Sequence, residues 1–408
     1  MRRFTRRYVP PPTPWSPHGI ALAPPARWGR AGAPRRRARR IAVKFNQDKA
    51  RDAIVSFAGQ RQQLVSDSVM RATLRLLRER TGAEIMCVDT SYYVMYSGET
   101  LANTCTIAPI LREYGIPYID GTQPPYRQVA TPGGGQMFRR YTMVQDLVDA
   151  DEVVSVALIK NHAFMGVTGC LKNLFGLMPG EPHGRPRTYY HHLVRMPYML
   201  ADIGRILDPA LNIIDALVGQ AGMEWGDGAG LGRIVDGIIA GDQVIATDAC
   251  LAHLMGHDPH ADWATPPFHR DRNALLVAAE GGFGTVDLDQ IDFQSELAPQ
   301  PAGRFFAIMT DSAATNYTWR RTMCEQALFY RDNREQFLRY AGEYILLQDG
   351  VVRWHSPDGT IRISRRDMAG GHRDHAMWFK FVDPEEAEGE QYNVYEHALA
   401  TLGPPPPA

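Results

Sequence analysis

The stretch Glu152-Val-Val-Ser-Val-Ala-Leu158 runs through Ile159 into Lys160-Asn-His162-Ala-Phe-Met-Gly166-Val-Thr168-Gly169-Cys-Leu-Lys172. Its first part is a short valine-rich apolar run, the pattern of a buried strand. Glycines then break the run, and the residues from about Thr168 onward read as a helix. A strand followed by a glycine turn and a helix carries Lys160 and His162 to the carboxyl end of the strand. Such a turn offers free backbone N–H groups and the positive end of a helix dipole, both suited to phosphate or carboxylate. An anion is therefore expected at Gly166, Thr168 and Gly169, with Lys172 one turn into the helix and Asn173 after it.

Outward from this segment the same alternation recurs. Strands are expected at Ile41–Phe45, Glu84–Asp89, Ile116–Asp120, Leu211–Ile214, Gly237–Ala240 and Phe305–Met309. Helices are expected at Ser66–Arg80, Leu193–Leu207 and Val244–Met255. This order indicates an α/β fold, a largely parallel sheet covered by helices, whose ligands sit beyond the carboxyl ends of the strands. From Thr322 the texture changes to a helix near Arg331–Tyr340 and a hairpin, Tyr344–Gln348 and Val351–His355 around Asp349-Gly350, with a second turn at Pro357-Asp-Gly359. The expected organisation is an Arg- and Pro-rich disordered tail over 1–40, the α/β domain over 41–315, a small α+β appendage over 322–385 and a C-terminal tail over 386–408.

Composition narrows the function. The chain of 408 residues has a net charge of -1, but residues 1–40 hold eleven arginines and no acid, so the remainder is mildly acidic. No apolar run approaches the roughly 20 residues of a membrane-spanning helix, and no export signal follows the arginines near Met1. A cytoplasmic protein without a membrane partner is expected, and nucleic acid is not an expected ligand. The five cysteines, Cys87, Cys105, Cys170, Cys250 and Cys324, are scattered without a Cys-x-x-Cys pair, so no iron–sulfur cluster is expected. Lysine is scarce: of five, Lys44, Lys49, Lys160, Lys172 and Lys380, two fall in the central stretch. An ammonium can lose its proton or form a covalent amine bond where guanidinium does neither. That scarcity marks Lys160 and Lys172, with His162, as catalytic candidates.

Other candidates lie at strand ends. Lys44 and Asn46 close the first strand and complete the expected anion cleft. Asp215 and Asp242 each follow an apolar run and, with His191 from the His183, His191, His192 group, form a candidate metal set. Arg185 and Arg187 in the polar segment over 180–192 are candidates to hold a substrate carboxylate. The glycine-rich loop from Gly219 to Gly232 brings Glu224 and Asp227. His372 and His375 read as solvated loop residues.

Lys160-Asn-His162-x3-Gly166-Val-Thr168-Gly169-x2-Lys172-Asn173-Leu-Phe-Gly176, then Tyr190-His191-His192, Leu211-Asn-Ile-Ile-Asp215 and Gly241-Asp242-x3-Thr247-Asp248-Ala249, resemble the bacterial and archaeal family called domain of unknown function 362. The likeness covers roughly residues 41–310. Many members append a ferredoxin-like cysteine cluster, which this chain lacks. The segment is also distantly similar to lactate racemase, in which a histidine acts in catalysis and a lysine ten residues on holds a nickel pincer cofactor. His162, Gly166, Thr168, Gly169 and Lys172 repeat that spacing. The resemblance implies a divalent metal or a nickel-pincer-type cofactor at Lys172, and His191 or His192 in the place of a later metal-binding histidine.

Together these readings indicate an enzyme that moves a proton or hydride at a small anionic metabolite, in the manner of a racemase or epimerase. His162 is the expected acid–base group, and Lys172 the anchor or cofactor attachment point. The alternatives are a non-catalytic protein that binds or delivers an anionic ligand, and a structural partner docking through residues 322–385. Oligomeric state is not legible.

Overall fold

The valine-rich run becomes the central strand of a seven-stranded sheet. The computed structural model describes residues 6–8, 38–180, 185, 187–357 and 377–406. The expected disordered segment over 1–40, His183, the turn around Asp358 and Gly359, and His372 with His375 lie wholly or mostly outside the described residues.

In chain order the framework is β1 (Arg40–Phe45), α1 (Asp67–Arg80), β2 (Glu84–Asp89), β3 (Tyr118–Asp120), β4 (Glu152–His162), β5 (Gly166–Thr168), α2 (Cys170–Asn173), α3 (Arg187–Tyr190), α4 (Arg195–Leu207), β6 (Leu211–Gln220), β7 (Gly232–Gly241) and α5 (Val244–Leu254). The sheet order is β7-β6-β4-β1-β2-β3, with β5 attached to β4. Strands β6, β4, β1, β2 and β3 pair in parallel, while β7 on β6 and β5 on β4 are antiparallel. The α/β class read from the sequence holds.

Period-two alternation in β4 feeds two cores. Val153, Ala157 and Ile159 face one cluster, and Val154, Val156 and Leu158 face the other. The second core is closed by α1, whose Val69, Met70, Leu74 and Leu77 form one buried stripe. Each such aliphatic side chain contributes about 1.5–3 kcal/mol when fully buried. Helix α1 begins where Ser66 caps it, the hydroxyl accepting from Val69 N, and Arg78 and Arg80 complement the dipole at its end.

Several elements differ from expectation. The Phe305–Met309 run makes only an isolated bridge, Ala307 to Gly222. The helix expected near 331–340 is a 3-10 segment, Arg334–Tyr340, that follows a longer helix, α6 (Ala313–Asp332). The hairpin β8 (Tyr344–Gln348) and β9 (Val351–His355) forms as expected, and β10 (Trp378–Phe381) adds a third strand against β8. Residues beyond 385, expected as a tail, include the helix α7 (Asn393–Ala400). Hydrophobic packing is continuous from the sheet through Met323 and Tyr330 of α6, Ile345–Leu347 of β8 and Trp378 of β10 to Tyr395 of α7. At the seam Glu390 receives Arg195 Nη2 at 2.8 Å and Lys380 Nζ at 2.8 Å, all three side chains buried. Among the described residues no helix is long and apolar enough to cross a membrane.

Candidate functional site

The strand β4 continues past Leu158 to His162, so Lys160 and His162 lie on the sheet itself. The chain then turns at Ala163–Met165 and returns as β5, pairing Gly166 with His162 and Thr168 with Lys160. Gly166 sits at φ 71°, and a Cβ there would meet the Phe268 ring, which accounts for glycine at this turn. The segment read as a loop opening a helix is therefore a short antiparallel strand.

The anion expected at the start of α2 is the protein's own. Asp248 on α5 accepts Cys170 N and Leu171 N, each at 2.8 Å. The carboxylate fills the place where a phosphate would sit, and Gly169 makes room for it because a Cβ would overlap Asp248. The space left by Gly169 thus goes to Asp248 rather than to a bound anion. Asp248 itself acts as a cap for α2. Gly169→Ala is expected to lower stability by about 1–3 kcal/mol through overpacking, measured as a fall in denaturation midpoint against wild type.

Asn173 also turns inward. Its Nδ2 donates to Lys44 O at 3.2 Å, Ser155 Oγ at 3.1 Å and Val156 O at 3.2 Å, tying α2 to β1 and β4 rather than facing a ligand. Asp215 accepts Ser66 N at 2.7 Å and Leu217 N at 3.0 Å, so it anchors the start of α1. Asp242 follows β7, which runs opposite to β6 and pairs Gly241 with Asn212 at the start of β6. It therefore lies at the far end of the sheet from His162. The set His191, Asp215 and Asp242 is not assembled, and among the described residues no three His, Cys, Asp or Glu side chains come together as a metal site. Arg185, bound to Glu388 at 2.7 Å, is committed to the C-terminal region.

What does converge is a set of cations around two imidazoles. Lys160 Nζ donates to Asn46 Oδ1 at 3.0 Å and Gln63 O at 2.9 Å. Burial, with Lys49 and Lys44 nearby, lowers its pKa to about 8 despite the attraction of Glu224. Lys44 pairs with Asp89 at 2.9 Å, and Lys49 donates to Gln63 Oε1. These three lysines are buried, as is Lys380, so the scarce lysines serve the interior. Lys172 stands apart. Its ammonium lies 4.7 Å from the centre of the Phe175 ring and makes no hydrogen bond or ion pair among the described residues. Burial and then the Arg187 charge push its pKa well down.

His162 is held at both nitrogens. Phe164 N and Met165 N donate to Nδ1 at 3.1 and 3.3 Å, which places the proton on Nε2, 2.7 Å from Glu224 Oε1. Glu224 Oε2 in turn accepts Ala163 N at 3.0 Å. Burial, reinforced by Lys172 and Lys160, lowers the His162 pKa to about 4 although Glu224 pulls the other way. Burial would raise the Glu224 carboxyl, but its interaction with His162 and the Ala163 N–H leave it lowered. The pair is thus a neutral imidazole beside a carboxylate. In nitrogen NMR, His162 is expected to keep its Nε2–H tautomer down to about pH 4. A lowered folded-state pKa means that the unfolded chain takes this proton first. The His162 contribution to stability is then full above about pH 6.5 and declines as pH falls toward about 4.

His191 stacks on His162 at 5.9 Å and meets the Phe164 and Phe175 rings edge-on at 5.3 and 5.6 Å. Its ring nitrogens have no hydrogen-bond partner among the described residues. Burial, then Lys172, Arg187, His162 and Arg270, hold its pKa well below the usual histidine value. Arg187 lies over the Phe175 ring at 4.5 Å and Arg270 over Phe164 at 3.8 Å. The segment expected as a polar loop here is partly core, since Tyr189, Tyr190 and His192 are buried. Arg270 was not among the sequence candidates, and Glu224 entered only as a carboxylate of the glycine-rich loop, with no role at His162. The one signal for Glu224 was its place among the glycines of the loop joining β6 and β7.

A model of the family called domain of unknown function 362 matches residues 42–253, from β1 to the end of α5. The chain belongs to that family. The domain of unknown function 362 region holds Lys44, Lys160, His162, Lys172, His191 and Glu224, while Arg270 and the C-terminal strands lie outside it. The match is shorter than the 41–310 expected. Over 204 residues the chain is 24% identical to a thylakoid-associated protein of Synechocystis sp., covering 49% of this chain and 59% of that relative. The chain thus spans less than two thirds of the relative's length.

Proposed function

We propose that this chain is an acid–base enzyme that moves a proton at a small anionic metabolite. The observation carrying the reading is the cluster of cations around His191: burial first, then Lys172, Arg187 and Arg270, depress its imidazole, while Glu224 opposes Lys172 and Asp311, Asp271 and Glu224 oppose Arg270. An anion entering there offsets the mutual repulsion of the cations. It also raises the pKa of His191 by adding negative charge beside it, so that ligand binding prepares the base for proton transfer. The His162–Glu224 pair fixes the ring on which His191 stacks. The similarity of the His162–Lys172 spacing to lactate racemase supports a racemase- or epimerase-like reaction.

A pincer-type cofactor or a metal is a separate matter. The free amine of Lys172 and the imidazole of His191 fit covalent attachment and one metal bond, whereas Asp215 and Asp242 do not fit as ligands. When bound, such a group would supply a hydride acceptor, and Lys172 and His191 would hold it.

One observation favours a non-catalytic carrier of an anionic ligand instead: both nitrogens of His162 are satisfied within the protein. Solvent-deuterium incorporation at carbon, followed by NMR over a panel of small carboxylates, separates the readings. Exchange that is lost in His162→Ala and in His191→Ala supports the enzyme. Tight binding of a carboxylate without exchange, retained in His162→Ala, supports the carrier.

A further inference from the structure

We infer that residues 223–230 form a lid over His162, latched by the side-chain amides of Gln62 and Gln63, which lifts to admit the substrate and reseats to return Glu224 to the imidazole. The inference rests on the acid–base reading of His162 and adds the way in. His162 is sealed. It is 3% exposed, its Nδ1 is taken by Phe164 N and Met165 N, and its Nε2 lies against Glu224 Oε1 at 2.7 Å. The second oxygen of Glu224 is engaged by Ala163 N at 3.0 Å. A substrate reaches this ring only when Glu224 leaves it, and Glu224 is carried by the loop that joins β6 to β7.

The two ends of the lid are pinned. Gly222 N donates to Phe306 O at 2.6 Å, Gly222 O accepts Ile308 N at 2.9 Å, and Leu231 O accepts Ala221 N at 2.9 Å. Between these pins, among the described residues, no side chain belongs to either hydrophobic core. Trp225 is 40% exposed and meets the Phe164 ring at 5.4 Å between centres. The seat is polar instead. Gln62 Nε2 donates to Gly228 O at 2.7 Å and Gln63 Nε2 to Gly226 O at 3.1 Å, and Gln220 Nε2 reaches Met223 O. All three glutamines are buried, so the latch belongs to the body and the exposed glycine carbonyls to the lid. A segment held by a few hydrogen bonds and no buried apolar side chain opens before the elements around it. Gln63 also joins the lid to the site, because its carbonyl accepts Lys160 Nζ at 2.9 Å.

The test is labelling of His162 in the full chain with diethyl pyrocarbonate at neutral pH, read by peptide mapping, across urea concentrations below the unfolding transition. A lifting lid exposes little surface, so the labelling rate of His162 is expected not to change with urea. Gln62→Met keeps the bulk of the side chain and removes the donor to Gly228. It is expected to raise the rate about two- to tenfold, the weight of one hydrogen bond. The urea series reads wild type by itself, so a poorly folded variant does not decide the outcome. Labelling of His162 that rises with urea in step with global unfolding overturns the proposal, as does a rate untouched in a well-folded Gln62→Met. Failure of the parent reading looks different. If His162 labels independently of urea but no carboxylate exchanges deuterium, the acid–base reading falls and the lid stands. If exchange depends on His162 while labelling follows unfolding, the lid falls and the acid–base site stands.

Discussion

Glu390→Ala is expected to destabilise the protein by about 3–5 kcal/mol, because it leaves the buried Arg195 without its anion and takes one of two from the buried Lys380. Arg195 donates to Glu390 Oε1 at 2.8 Å and Lys380 to Oε2 at 2.8 Å, and Tyr395 Oη adds a hydrogen bond at 2.6 Å. Arg195 keeps Tyr189 O and Phe379 O as acceptors, and Lys380 keeps Glu386, so the loss is not total. Burial opposes charge on Glu390, but Arg195 and Lys380 outweigh it and lower its pKa from 4.5 to about 2. That depression corresponds to about 3 kcal/mol by linkage, which agrees with the cost of removing the group. The sign is that of a depressed carboxyl. The contribution is complete above about pH 4.5 and is lost as pH falls toward about 2, where Glu390 takes up its proton in the fold. Urea unfolding of wild type and Glu390→Ala at neutral pH, and again near pH 3, checks both parts. The difference between the two proteins is expected to shrink in acid, and a constant difference would remove the ionic explanation.

The second large effect concerns the site. His162→Ala and Glu224→Gln are each expected to reduce solvent-proton exchange on the substrate by about 10²–10⁴-fold, the usual contribution of a positioned acid–base group. The two losses are not expected to add, since the 2.7 Å hydrogen bond makes the groups one unit. In His162→Ala the ring supporting His191 is gone and Glu224 keeps only Ala163 N. In Glu224→Gln the amide still accepts from His162 but carries no charge, so the ligand affinity for an anion is expected to hold or rise while exchange falls. A double variant as slow as either single one is the signature. Full multiplication of the two effects would argue that His162 and Glu224 act independently.

Much of the framework was legible because it depends on local pattern. Glu84–Asp89 is a short continuous apolar run between two carboxylates, and the strand has the expected bounds. Asp349-Gly350 was read as a hairpin turn, and both residues take positive φ, 50° and 71°, as a tight turn of this kind requires. Lysine scarcity marks interior amines: Lys44, Lys49, Lys160 and Lys380 are all buried. What pattern does not contain is partnership across distance. Gly166–Thr168 became a strand only because it lies along Lys160–His162, and a three-residue strand has no periodicity of its own. The anion at the helix start was Asp248, 78 residues away along the chain, and the sequence does not say which carboxylate arrives there.

Direction along the sheet was the costliest gap. Asp215 and Asp242 both follow apolar runs, and period two marks a strand without giving its sense. One cue was present: β6 and β7 are separated only by a glycine-rich loop, with no crossover helix. Adjacent strands so joined pair antiparallel, which sends Asp242 to the opposite end from His162. The same loop, once seen as a hairpin connection at the His162 end, brings Glu224 over the imidazole. Reading it that way would have placed Glu224 among the site residues and removed Asp242.

The measurement that bears most directly on the central claim is deuterium wash-in from heavy water into a panel of small carboxylates and α-keto acids, run side by side with wild type and His162→Ala. Incorporation at a carbon next to the carboxylate or carbonyl by wild type, reduced at least a hundredfold in the folded variant, is the expected result. Equal incorporation by both proteins, or none by wild type across the panel, would contradict an acid–base enzyme built around His162, Glu224 and His191.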